Sequence, residues 1–311
     1  MIWILFIALI LLLLGFDLII LHNKNQPLTN KRAAIETIFW ICIALLFSLV
    51  IYWVFNTGKT ENINDLSGSE AVVKYLSGYF IELSLSVDNL FVIAMIFKSY
   101  KIPVKYQHQT LFWGIIGAIV FRGLMIWLGV VLIHKISWIT YIFGAFLLYT
   151  AFNMLEKEDE NPSESSMSKK LSKLFKISKS LDGEKFFTIE NGVKMITPLF
   201  AALIMIEFAD LLFALDSIPA ILAITTDSFV VFSSNMFAVL GLRAMYFFLA
   251  NMLEKFRYLK YSVFSILTFV AIKLLTIHFV HFPEWFSLLY ISISLALGVM
   301  VSLHKIQVDK K

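Results

Sequence analysis

LIMIEFADLLFALDSIPAILAIT, residues 203–225, is an apolar run long enough to cross a bilayer, and it carries three acids: Glu207, Asp210 and Asp216. A second run, GYFIELSLSVDNLFVIAMIF at 78–97, carries Glu82 and Asp88. Each ionisable group at such depth costs roughly 2.5–3.5 kcal/mol to insert, so five together cost on the order of 12–17 kcal/mol. Packing alone does not justify that cost. A cationic partner is expected at these acids.

Composition sets the class. Hydrophobic residues make up 59% of the 311-residue chain and charged residues only 15%. That balance lies far from a soluble average and marks a polytopic membrane protein. The net charge of +4 gives no reason to expect nucleic-acid binding, because the basic residues flank the apolar runs. One cysteine, Cys42, excludes a disulfide framework or an intrachain thiolate cluster.

Nine apolar runs approach spanning length: 2–21, 35–55, 72–97, 109–133, 136–154, 195–225, 229–251, 261–280 and 286–303. Their length predicts helices; barrel strands would alternate over about 10 residues. The first run has no basic segment before it and no small-residue cleavage site, so it reads as a retained helix. Lysines and arginines collect after the first, third, fifth and seventh runs and at the C-terminus. The positive-inside rule then places the N-terminus outside and the C-terminus in the cytoplasm of a bacterial-type inner membrane.

The chain also repeats. Setting Glu82 on Asp210 brings Asp88 onto Asp216 and Asn89 onto Ser217 without a gap. The next run of each half carries an arginine, Arg122 in FRGLM and Arg243 in LRAM, and the third places Tyr149 near Lys273. Three helices per unit give two units of opposite orientation, a transporter architecture. The fold expected is an all-α polytopic membrane helix bundle with two inverted three-helix repeats. Two N-terminal helices occupy 1–60, the first unit 70–155, a cytoplasmic loop 156–194, the second unit 195–281, and a C-terminal helix with its tail 286–311.

At 100° per residue, Asp216 points about 120° away from Asp210, and Asp88 stands likewise to Glu82. Either each acid faces a different neighbour, such as Arg122 or Arg243, or the helix unwinds near the Asp. Pro219 removes a backbone donor just after Asp216 and favours a local break there. Asp17, near the end of the first run, reads as an interface residue. Within the loop, EKEDENPSESS reads as disordered, and SKKLSKLFKISKSL at 168–181 as a basic amphipathic helix on the membrane surface or against a cytosolic partner.

Carboxylates, an amide and hydroxyls are hard donors suited to Mn²⁺, Mg²⁺ or Ca²⁺. Five acids opposed by Arg122, Arg243 and Lys273 leave a formal −2, the charge one divalent cation neutralises. A carboxylate that takes a proton when the ion leaves would couple the two movements.

The stretches ELSLSVDNLFV at 82–92, QHQTLFWGIIGAIVFRG at 107–123 and YIFGAFLLYTAFNML at 141–155 resemble the TerC family of integral membrane proteins. So do ITPLFAALIMIEFADLLFALDSIPAILAIT at 196–225 and SNMFAVLGLRAMYFFL at 234–249. The resemblance runs from about Ser69 to Leu275. It implies a nine-helix relative of the LysE-type transporters that exports manganese, with links in some members to tellurium resistance. Carried across by position, the family's metal site falls on Glu82, Asp88, Asn89, Glu207, Asp210 and Asp216. Arg122, Arg243 and Lys273 would compensate charge or gate, and Ser86 and Ser217 would support. Leu83 and Ala271 depart from the family's usual Lys and Gly.

The function expected is a secondary transporter exporting a divalent cation, Mn²⁺ foremost, coupled to protons. The alternative is a membrane metal sensor or scaffold for tellurite or metal stress. No nucleophile–base pair, HExxH or phosphate loop points to an enzyme. No tightly bound cofactor is expected, and the acids disfavour passage of a tellurite oxyanion.

Overall fold

The computed structural model describes residues 2–17, 30–60, 62, 65–136, 138–156, 176–178, 181–190, 192–250, 259–276, 279–280 and 282–308. Each of the nine apolar runs contains a helix. These are α1 (Ile2–Phe16), α2 (Asn30–Asn56), α3 (Gly68–Ser99), α4 (Val104–Lys135), α5 (Ile139–Glu156), α6 (Pro198–Leu222), α7 (Ser228–Ala250), α8 (Leu259–Leu275) and α9 (Glu284–Val308). Five of them, α2, α4, α6, α7 and α9, are long and apolar enough to cross a membrane by length and composition. Large apolar side chains such as Leu12, Leu46, Leu49, Leu124 and Trp127 face outward, as the surface of a lipid-solvated bundle requires. The chain is an all-α polytopic membrane bundle.

α7 is its central post. Its spanning window is 83% buried, against 22–39% for the other four long helices. α2, α3 and α4 all pack on it. Asp227 starts it, its Oδ1 accepting from the Phe229 and Val230 amides at 3.0 Å. This cap satisfies two of the four amides that every helix start leaves without a partner. Lys74 Nζ donates to the Ile224 carbonyl at 3.1 Å, joining the start of α3 to the loop before α7.

Contacts between helices α3–α5 and α6–α8 follow a regular pattern. α3 packs on α7 and α4 on α6; α5 packs on α8, α3 on α6 and α4 on α7. Exchanging α3 with α6, α4 with α7 and α5 with α8 leaves this set of pairings unchanged. α2 and α9 close against α3 from outside the two units.

The core divides into two apolar clusters. One gathers Leu90, Ile93, Ala118, Met205 and Ile206 with α1, α2 and α7. The other gathers Ile81, Leu85, Ile126, Ala214 and Ile218 with α5 and α8. On α4 the clusters meet between Ala118 and Ile126, and on α6 between Ile206 and Ala214. Those intervals hold Arg122 and Asp210.

Two sequence expectations are corrected here. α6 runs unbroken from Pro198 to Leu222, through Asp216 and Pro219. Pro219 lies in the last turn, where only the Leu215 carbonyl loses its helical donor. The segment is gripped by burial of Ala214 and of 217–222, so there is little reason to unwind. The second correction concerns the loop. Leu171, Leu174 and Phe175 of the expected amphipathic helix, and the stretch read as disordered, lie outside the described residues. Residues 176–178 are extended, with Ile177 bridging Ile196.

After them comes a hairpin, β1 (Phe187–Glu190) with β2 (Val193–Ile196), paired antiparallel from Phe187↔Ile196 to Glu190↔Val193. Gly192 takes φ +75° at its turn, a conformation glycine adopts without steric penalty. The hairpin delivers the chain directly into α6. The Thr197 side chain caps the helix at the Phe200 amide and donates to the Lys185 carbonyl at 2.8 Å, and Pro198 takes the first helical position. Phe186 and Phe187 pack on Phe200.

Candidate metal-ion site

Four helices place one polar side chain each at the seam between the two apolar clusters. Arg122 of α4 is fully buried, at 0% exposure. Its Nε and Nη2 donate to the two oxygens of Asp210 on α6, at 3.0 and 2.6 Å, a two-pronged charge-assisted pair. Its Nη1 donates to Glu82 Oε1 on α3 and to Asn235 Oδ1 on α7, the latter at 3.3 Å. Asn235 closes the ring by donating from Nδ2 to Glu82 Oε2 at 3.0 Å. Ser86, one turn beyond Glu82, donates weakly to Oε1 at 3.5 Å.

Glu82 and Asp210 thus converge on one guanidinium. A buried charge cluster of this kind gains little net stability over an apolar equivalent. Removing one partner, however, typically costs about 3–5 kcal/mol.

Glu207 stands one turn before Asp210. Its carboxylate lies against Gly117 of α4, where an added Cβ would collide with it, and its buried Oε2 has no hydrogen-bond partner among the described residues. Asp216 turns to α5, where Thr150 Oγ1 donates to it at 3.1 Å. Of the two geometric readings, the structure takes the first: Asp210 and Asp216 face different neighbours on a continuous helix. The neighbour of Asp216 is a threonine rather than either arginine. The side chain of Asp88 lies outside what is described.

Asn89 is buried, and neither atom of its amide has a partner; the Ser84 and Ser217 hydroxyls are likewise unpartnered. Two turns beyond Glu82, Asn89 lies on the same side of α3. Lys273 is buried on α8 and donates to Ser287 Oγ of α9 at 3.1 Å.

Arg243 is engaged elsewhere. Its Nη2 donates to Asp17 Oδ1 at 2.7 Å and to the Asp17 carbonyl at 3.4 Å. Asp17, expected at an interface, is instead buried at 2% exposure, and its pair with Arg243 joins α1 to α7. The physical reason is the one already applied to Glu82: a carboxylate within the bundle needs a cation, and Arg243 is within reach. Between the two arginine centres lies a cavity of about 30 Å³, lined by Leu90, Ile93, Leu111, Ile115, Asp210 and Arg243. It has room for water beside the Asp210 carboxylate.

Among the described residues, no three His, Cys, Asp or Glu side chains gather as a ligand set. Glu82, Asp210 and Asn235 each give an oxygen to Arg122. Sequence reasoning did not identify Asn235, Asp17 or Thr150 as partners. Asn235 and Asp17 were open to the argument that found the acids, since each is a strongly polar residue in an apolar run.

Comparison with known proteins agrees with this architecture. Residues 67–310 match the integral membrane protein TerC family. An uncharacterized membrane protein of Myxococcus xanthus is 41% identical over 97% of this chain and 92% of its own length. One of Rickettsia bellii is 40% identical over 99% of both chains. A protein of Escherichia coli named "Putative membrane-bound redox modulator Alx" is 39% identical over 95% of this chain and 90% of its own. No solved structure matches. With the family matched from before α3 to the end of α9, and relatives matched over nearly the whole chain, this protein belongs to the TerC family of integral membrane proteins.

Proposed function

We propose that this protein is a secondary transporter that exports a divalent cation, Mn²⁺ foremost, in exchange for protons. In this reading α3–α5 and α6–α8 are inverted repeats, and the unchanged pairings on exchange of the two units support that relation. The N-terminus lies outside and the C-terminus in the cytoplasm of a bacterial inner membrane.

The observation that carries the reading is the centre at Arg122. Glu82 and Asp210 share the single guanidinium of Arg122, and Glu207 stands one turn before Asp210, so the three acids when ionised leave a formal −2 inside an apolar bundle. That is the charge of one divalent cation, and the oxygens are hard donors suited to Mn²⁺ or Mg²⁺ rather than to soft metals. Asp88, Asn89 and Asp216 extend the polar positions along α3 and α6. Chain-encoded dithiol chemistry has no support, because Cys42 is the single cysteine.

The test is Mn²⁺ flux in proteoliposomes, wild type beside Asp88→Asn and Asp216→Asn. Wild-type flux that dissipates an imposed proton gradient, and that falls at least about tenfold in both variants, is expected. Equal flux in all three would overturn the route. Mn²⁺ bound by the wild type without flux would leave the sensor or scaffold.

A further inference from the structure

We propose that Arg122 has two positions, and that the transported cation occupies the first when the guanidinium moves to the second. This deepens the transport reading and rests on it. The first position is the one described: Arg122 takes both oxygens of Asp210, Oε1 of Glu82 and Oδ1 of Asn235. These are the oxygens a hard divalent cation would need, and two cations cannot share them without strong repulsion. The guanidinium is therefore a tethered competitor of the substrate.

The second position is Glu207. Its Oε2 is buried with no partner among the described residues, a state that is costly for a carboxylate unless a donor reaches it in another conformation. It lies against Gly117, five residues before Arg122 on the same helix. Glu207 and Asp210 are three residues apart on α6 and so are neighbours on its surface, which puts Glu207 beside the carboxylate that Arg122 already holds. The missing side chain at position 117 is what leaves room for the Glu207 carboxylate beside α4. An arginine that leaves Asp210 toward the start of α6 meets Glu207 next.

Charge follows the same arrangement. With Arg122 on Glu207, that pair is neutral, and Glu82 with Asp210 presents −2 beside the uncharged Asn235 carbonyl. A divalent cation then leaves the whole group neutral. On release of the cation the guanidinium returns and covers the two acids. The apparent affinity for the cation is thus reduced by the fraction of molecules in which Arg122 sits on Glu82 and Asp210.

The experiment is Mn²⁺ binding to the full chain in lipid nanodiscs, read from loss of the free Mn²⁺ paramagnetic signal. Arg122→Gln is expected to bind about tenfold or more tightly than wild type, because the competitor is gone. Glu207→Gln is expected to bind about tenfold more weakly, because the guanidinium has no second position. The double variant Arg122→Gln/Glu207→Gln is expected to match Arg122→Gln alone. A Glu207→Gln loss of the same size in both backgrounds would overturn the proposal and make Glu207 a direct ligand. Arg122→Gln that binds no tighter than wild type would also overturn it. Mn²⁺ binding by none of these proteins would overturn the transport reading itself. If Arg122→Gln does not assemble, Glu82→Gln/Arg122→Gln removes one charge of each sign, and the Glu207→Gln comparison is made in that background with the same expectations.

Discussion

Arg122 of α4 and Arg243 of α7 are both buried, yet their surroundings differ. Arg122 lies at the seam of the two apolar clusters and joins α3, α6 and α7 to α4 through two acids and an amide. Arg243 faces one acid, Asp17, from a helix outside both units. The difference separates two uses of a buried arginine. One holds acids from α3 and α6 together with an amide from α7. The other anchors the N-terminal helix to the central post and has only one carboxylate to satisfy.

Breaking the first centre should have the larger effect. Arg122→Ala leaves two carboxylates buried without their cation and is expected to lower stability by about 3–5 kcal/mol, measured by thermal unfolding in detergent. Added Mn²⁺ should restore part of that loss. Arg243→Gln strands only Asp17 and is expected to cost about 3 kcal/mol, with no recovery on adding Mn²⁺. Equal rescue of both variants by Mn²⁺ would erase the distinction between the centres.

Smaller changes sharpen it. Gly117→Ala drives a methyl into the Glu207 carboxylate. It is expected to cost about 1–3 kcal/mol in stability and to weaken Mn²⁺ binding in the direction of Glu207→Gln while keeping the charge. Asp227→Ala removes the cap of α7 outside both centres. A loss of about 1 kcal/mol with Mn²⁺ binding unchanged is expected.

Much of this architecture was legible in the sequence, for reasons that differ by element. Runs of apolar residues report helices directly because a bilayer forbids the alternatives, and all nine contain one. The acids were legible because their cost has no cheap explanation. Their partners were less so. The repeat pointed to both arginines, yet no spacing rule says that Glu82 and Asp210 meet at Arg122 while Arg243 turns to Asp17, since that depends on how four helices pack. Asn235 was open to the same argument, as a strongly polar residue in an apolar run, but an uncharged amide has a weaker claim on a partner than a carboxylate. Pro219 misled because its helix-breaking tendency was weighed without its place in the last turn. The hairpin at 187–196 had a signal that went unused: Asn191-Gly192 between apolar-alternating stretches is a strong short-range turn pattern.

In the proposed transport cycle the oxygens around Arg122, and not those around Arg243, receive the cation. The most direct measurement is Mn²⁺ flux in proteoliposomes for Glu82→Gln beside Asp17→Asn, each variant being folded and present at equal density. Flux abolished by Glu82→Gln and retained by Asp17→Asn is the predicted result. Flux retained by Glu82→Gln would contradict the account.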